Sequence, residues 1–166
     1  MAQPALAVTL SLLTLLLASC GSYDFKVNDR VVFSPKPLFT DYEITDEALS
    51  DCVKQAIADN QVSSPAQLSV LNCSHAGVVS LAGLEIFTGL SQLKLSANQI
   101  VDLTPLATLS SLEDLYLDQN QVVDSTHLFE LLSLRSVDLT GNPGLRCPSA
   151  ASLLRVEEIR LPKHCG

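Results

Sequence analysis

Five cysteines and three histidines are the most chemically versatile residues of this 166-residue chain, and their spacing sorts them before any fold is considered. Cys20 ends an apolar run, "LLLASC", while Cys52, Cys73, Cys147 and Cys165 lie far downstream as two pairs. A thiol can serve as a nucleophile, take up an acyl group, bind a soft metal or oxidise to a bridge. Nucleophilic catalysis needs a base held against the nucleophile, and nothing here provides one. G-x-S-x-G, H-E-x-x-H and phosphate-cradling glycine loops are all absent from the sequence. Ser74-His75 is an adjacent pair, and neighbours on a strand point to opposite faces. No catalytic residue is expected, and the chain does not read as an enzyme. Cys73 with His75, and His164 with Cys165, offer soft metal donors, but the chain would have to fold back to unite them. No metal site and no cofactor are expected. Without Cys20, four cysteines allow three pairings.

The segment before Cys20 supplies an address. Every residue from Ala5 to Ala18 is apolar or a small hydroxyl, and the first charge is Asp24. A bilayer span needs about 20 apolar residues, so this run is short for a transmembrane helix and fits the apolar region of a secretory signal over residues 1–19. No Lys or Arg precedes it, which implies either a start further upstream or a weak signal. Leu17-Ala18-Ser19-Cys20 resembles the lipobox of bacterial lipoproteins, in which cleavage precedes a lipid-modified cysteine. That resemblance implies a mature chain acylated at Cys20 and held on a bilayer, since each buried methylene contributes about 0.8 kcal/mol. By the same resemblance, Gly21 after the cysteine, rather than Asp, implies delivery to the outer membrane of a bacterial envelope, on its periplasmic or surface side. Residues 20–43 mix Ser, Asp, Asn and Pro35-Lys36-Pro37 without helical or strand periodicity, and read as a proline-stiffened tether. Val31-Val32-Phe33 within it reads either as a short strand or as a packing segment.

Beyond the tether the chain keeps a ruler of 22 residues. From Leu68 the first position of each register is Leu68, Leu90, Leu112 and Leu134; the fourth is Leu71, Leu93, Leu115 and Val137; the sixth is Cys73, Leu95, Leu117 and Leu139. The ninth is Ala76, Asn98, Asn120 and Asn142. This pattern resembles the leucine-rich repeat family, most closely its internalin-like branch. Positions four and six alternate with polar neighbours, as in a strand with one buried face. Ile100, Leu103, Leu106 and Leu109 turn the returning arm inward. One coil cannot bury its own leucines, so coils must stack. The expected fold is α/β, a short solenoid over residues 68–143 with a curved parallel sheet on its concave side. Its asparagines form a ladder that satisfies turn backbone in adjacent coils.

A stack exposes two apolar ends, and both need caps. Residues 44–67 read as a helical N-terminal cap, with Thr45 as N-cap and Leu49, Cys52, Val53, Ala56 and Ile57 on one face. Residues 144–166 read as a cysteine-bearing C-terminal cap with a short helix near Ser149–Glu157. Export to an oxidising compartment favours bridges. Cys52 lies on the cap face beside the inward position of Cys73, and Cys147 and Cys165 bracket the last cap, so the expected pairs are Cys52–Cys73 and Cys147–Cys165.

Recognition is the function this architecture serves best. The chain carries a net charge of −8, unsuited to nucleic-acid phosphates, and residues 68–133 hold one base against seven acids. Positions three, five and seven of each coil face out from the sheet. They place Asn72, Lys94, Asp114, Tyr116, Asp118 and Asp138 on the concave face as the candidate partner-binding set. Tyrosine offers contact area and a hydroxyl at little entropy cost. A protein or peptide partner is expected, with a basic one favoured by charge. The alternative is a structural spacer or envelope-integrity lipoprotein without a dedicated ligand.

Overall fold

Leucines recurring every 22 residues demand that equivalent positions of successive coils meet, and the strand register shows that they do. A computed structural model describes residues 25–27, 30–33, 37–149 and 154–166. The expected signal segment 1–19 and the acylation site Cys20 lie outside the described residues. The chain divides into two compact units, Met1–Pro37 and Leu38–Gly166. In the first, β1 (Phe25–Val27) pairs antiparallel with β2 (Arg30–Phe33), so the Val31-Val32-Phe33 stretch is a strand.

The second unit opens with helix α1 (Glu47–Asp59) and continues through five strands in one parallel sheet: β3 (Val70–Asn72), β4 (Gln92–Lys94), β5 (Asp114–Tyr116), β6 (Ser136–Asp138) and β7 (Glu158–Arg160). Spatial order equals chain order, as a solenoid requires. Leu71 pairs with Leu93, Leu93 with Leu115, Leu115 with Val137 and Val137 with Ile159, all on the inner side. The returning arms are short 3-10 helices at Leu84–Ile86, Thr104–Thr108 and Thr126–Glu130. Leu103, Leu106 and Leu109 sit three apart, which is one 3-10 turn, and so all three are buried.

The turn after each strand repeats one backbone device. His75, Ala97 and Gln119 hold left-handed φ values of 59°, 54° and 57°, and Gly141 holds 71°. This reversal aims the next residue inward, and from the second coil on that residue is asparagine. Asn98 accepts from the N–H groups of Gly77 and Val78 in the coil before it (2.9 and 3.0 Å) and donates to Cys73 O and Leu95 O (3.0 and 2.9 Å). Asn120 does the same with Ile100, Leu95 and Leu117, and Asn142 with Val122, Leu117 and Leu139. All three are buried, yet no buried side-chain nitrogen or oxygen among the described residues lacks a partner.

The N-terminal cap differs from its sequence reading in one detail. Asp46, not Thr45, is the N-cap: its Oδ1 accepts from Leu49 N at 2.9 Å, while Oδ2 accepts from Val79 N and Ser80 N of the first coil. One carboxylate thus starts the helix and docks it, which the hydroxyl of Thr45 has too few acceptor lone pairs to do. Leu49, Val53 and Ile57 are the buried face of α1. Residues 38–43, read as the end of the tether, belong to this unit. Phe39 and Tyr42 contact Phe87 with ring centroids at 6.1 and 5.7 Å, and Phe39 N donates to Val62 O.

The C-terminal end holds a strand that the cap reading did not contain. Ser149 and residues 154–157 are not helical, and β7 then continues the ruler through Val156, Ile159 and Leu161. The rest of the helix expected near 149–157 falls on residues 150–153, outside the described residues.

Candidate functional site

Because β3 to β7 are in exact register, outward side chains form rows across the strands. The central row is Asn72, Lys94, Tyr116, Asp138 and Arg160. Lys94 Nζ lies 5.5 Å from the Tyr116 ring centroid, within cation–π range. Asp138 Oδ2 is 3.7 Å from Arg160 Nη1, and its Oδ1 accepts from Thr140 N and Oγ1 at 2.9 and 2.7 Å. Tyr116 therefore stands half-buried between a cation and a carboxylate whose orientation is already set. Its hydroxyl has no hydrogen-bond partner among the described residues.

The flanking rows are tied along the same direction. Gln92 Nε2 donates to Asp114 Oδ2 at 3.3 Å, and Ser96 Oγ donates to Asp118 Oδ1 at 2.5 Å. Asn72 is exposed, and its Oδ1 accepts from Ser74 N. The six residues of the expected set thus share one face, and each of Lys94, Asp114, Asp118 and Asp138 is held by a neighbour one coil away. Such cross-strand ties reduce the entropy lost when a partner binds.

Arg160 and Glu158 extend this face and were absent from the sequence reading. Arg160 donates to Glu158 Oε1 through Nε and Nη2 at 3.1 and 2.7 Å. The hydrogen bonds and charge of Glu158, with Asp138 beside it, raise the Arg160 guanidinium above its ordinary range. The signal that would have found them is the ruler itself, since Asp138 plus one period is Arg160. With them, the face carries Asp114, Asp118, Asp138 and Glu158 against Lys94 and Arg160.

The cysteines fall at the two ends of the stack. Cys52 of α1 is bridged to Cys73 just after β3, with Cα atoms 5.8 Å apart, and Cys147 to Cys165, with Cα atoms 5.3 Å apart. Cys147, His164 and Cys165 bring three ligand-type atoms within 4.8 Å of one another, but both sulfurs are spent in the bridge and His164 Nε2 lies 2.9 Å from Leu145 O. A cavity between α1 and β3, about 340 Å³, is bordered by Gln55, Asp59, Val70 and Asn72 with no convergent donor set. Among the described residues no nucleophile, base and oxyanion donor converge.

No family model and no curated protein matches the chain. Solved structures do. The internalin InlF of Listeria monocytogenes superposes with a TM-score of 0.60 and 26% identity, over 72% of this chain and 37% of that one. The fold is related to that of the Listeria internalins. Internalin InlC2 of the same organism gives a TM-score of 0.56 at 23% identity, covering 70% of this chain and 64% of that one. The functional domain of InlJ, described as including a cysteine ladder, gives 0.51 at 22%, covering 70% and 31%. The chain therefore spans less than two thirds of each of these internalin chains. It is an internalin-like, leucine-rich-repeat-like scaffold with a curved parallel sheet, and no coherent catalytic site occurs among its described residues. Nor is any described helix long and apolar enough to cross a membrane.

Proposed function

We propose that the chain is an envelope lipoprotein whose concave face binds a segment of a protein partner. The row Lys94–Tyr116–Asp138–Arg160 carries this reading. It offers a tyrosine and an arginine, residue types enriched among interface hot spots, with a lysine and a carboxylate held beside them at fixed spacing. Acids outnumber bases on the face, so a partner segment with one or two Lys or Arg fits best. The lipobox resemblance at Cys20 supplies the anchor, residues 20–37 the tether and residues 38–166 the binding domain.

The reading is tested by crosslinking in intact cells followed by mass spectrometry. Tyr116→Ala removes the anchor and its contact with Lys94 from a half-buried position, with no hydrogen bond lost among the described residues, so it should abolish the crosslinked partner while leaving the melting temperature of the purified chain within about 2 °C. Cys20→Ser should release the protein from the membrane fraction without changing that melting temperature. Equal crosslinks from parent and Tyr116→Ala would sink the concave-face assignment and favour a spacer role.

A further inference from the structure

The two edges of the five-stranded sheet are unequal. The β3 edge is covered by α1, whose Cys52 is bridged to Cys73 and whose sulfur lies 3.3 Å from Asn72 O. The β7 edge has no neighbouring strand among the described residues. Glu158 N donates to Arg135 O and Leu139 N donates to Arg160 O, so Glu158 and Arg160 turn their backbone groups toward β6. Alternation along the strand then turns both the N–H and the C=O of Ile159 outward, together with Glu157 O and Leu161 N. The inner row is incompletely covered at this end as well. Leu134, Val137 and Leu139 are at most 3% exposed, whereas their equivalents Val156, Ile159 and Leu161 are only half-buried.

The sequence of this edge is self-complementary. In an antiparallel pair of two Glu-Ile-Arg strands related by a two-fold axis through Ile159, the two Ile159 residues exchange both hydrogen bonds, and each Leu161 N–H faces a Glu157 C=O. Glu158 of one copy then lies directly opposite Arg160 of the other, twice, on the same outward face. Exposed edges are ordinarily blunted by charged side chains, which repel a second copy where like faces like. Here the two signs alternate, and two-fold symmetry converts that into attraction. We infer that β7 is an interface for a second copy of this chain, joining two five-stranded sheets edge to edge by antiparallel β7–β7 pairing.

Sedimentation velocity of the full chain across a wide concentration range tests this, with circular dichroism confirming that each variant is folded. The parent should show a reversible monomer–dimer equilibrium that weakens with added salt. Arg160→Glu sets Glu opposite Glu, and Glu158→Arg sets Arg opposite Arg, so each alone should raise the dimer dissociation constant by about tenfold or more. An equimolar mixture of the two variants restores both oppositely charged pairs and should dimerise as well as the parent. The double variant Glu158→Arg with Arg160→Glu should do so alone. A parent that stays monomeric throughout, single variants that associate like the parent, or a mixture no better than its components would each overturn the proposal. Arg160 belongs to both surfaces, but Tyr116 is not part of β7, so Tyr116→Ala should lose the crosslinked partner and still dimerise, which distinguishes a failure of the one reading from a failure of the other.

Discussion

At the first coil, Asp46 gives one oxygen to its own helix and the other to two amides of the coil it covers. At the last, His164 falls on the ninth position of the register, where the second, third and fourth coils carry asparagine, and its ring reaches a single carbonyl, Leu145 O. The first end also has a buried helix face and a three-ring cluster of Phe39, Tyr42 and Phe87. The last has a bridge between exposed Cys147 and half-buried Cys165, and an uncovered strand. Both ends carry a disulfide, but only the first encloses its apolar row. A solenoid end can thus be closed by covalent constraint without being closed to solvent, and the second kind leaves a surface that something else can use.

The largest expected effect lies between the ends and sets the scale for both. Asn120→Asp keeps shape but loses the Nδ2 donors to Leu95 O and Leu117 O and sets a carboxylate oxygen against two carbonyls. It should destabilise by about 4 kcal/mol in urea denaturation. Next come the bridges. The paired cysteines are 21 and 18 positions apart, so their loop-closure terms are nearly equal, about 3 kcal/mol each. Cys73 is 2% exposed, so Cys52→Ala with Cys73→Ala also leaves a small cavity, and should cost more than Cys147→Ala with Cys165→Ala. The reverse order would break the comparison.

Asp46→Ala should cost about 1 to 2 kcal/mol by removing the cap and the docking contact together. The same carboxylate gives the first end a pH dependence. Burial pushes it up, but the N–H donors of Leu49, Ser80, Val79 and Ala48 outweigh that and hold it below the ordinary range. Its stabilisation is therefore complete above about pH 4 and is lost as the pH falls through its depressed folded value. Hydrogen exchange at falling pH should open α1 before β6, and in Asp46→Ala α1 should be open to exchange already at neutral pH, with that pH dependence lost. The smallest effect expected is from Ala97→Gly, where relief of a left-handed φ of 54° is largely offset by glycine entropy, leaving a gain of a few tenths of a kcal/mol.

The inner strand rows were legible because burial on one face imposes alternation and stacking imposes a fixed period; Leu93 and Leu115 satisfy both at once. The outward rows followed from the same arithmetic. Less legible were the choice of helix N-cap and the last strand. Thr45 and Asp46 are equally good caps locally, and only the approach of Val79 and Ser80 decides between them. Strand β7 is hidden because Gly144 stands where Val78, Ile100 and Val122 occupy the earlier coils, which breaks the leucine spacing well before it resumes at Val156. Arg160 and Glu158 went unseen with it, and so did the salt bridge that organises one end of the candidate site.

The asparagine rungs point one way. Asn98 completes the turn at Gly77 and Val78, Asn120 the one at Ile100, and Asn142 the one at Val122, always some twenty residues toward the N-terminus. In a chain that emerges N-terminus first, then, each loop waits with open amides for a side chain that has yet to follow, and the array locks in arrears, one lap behind its own arrival.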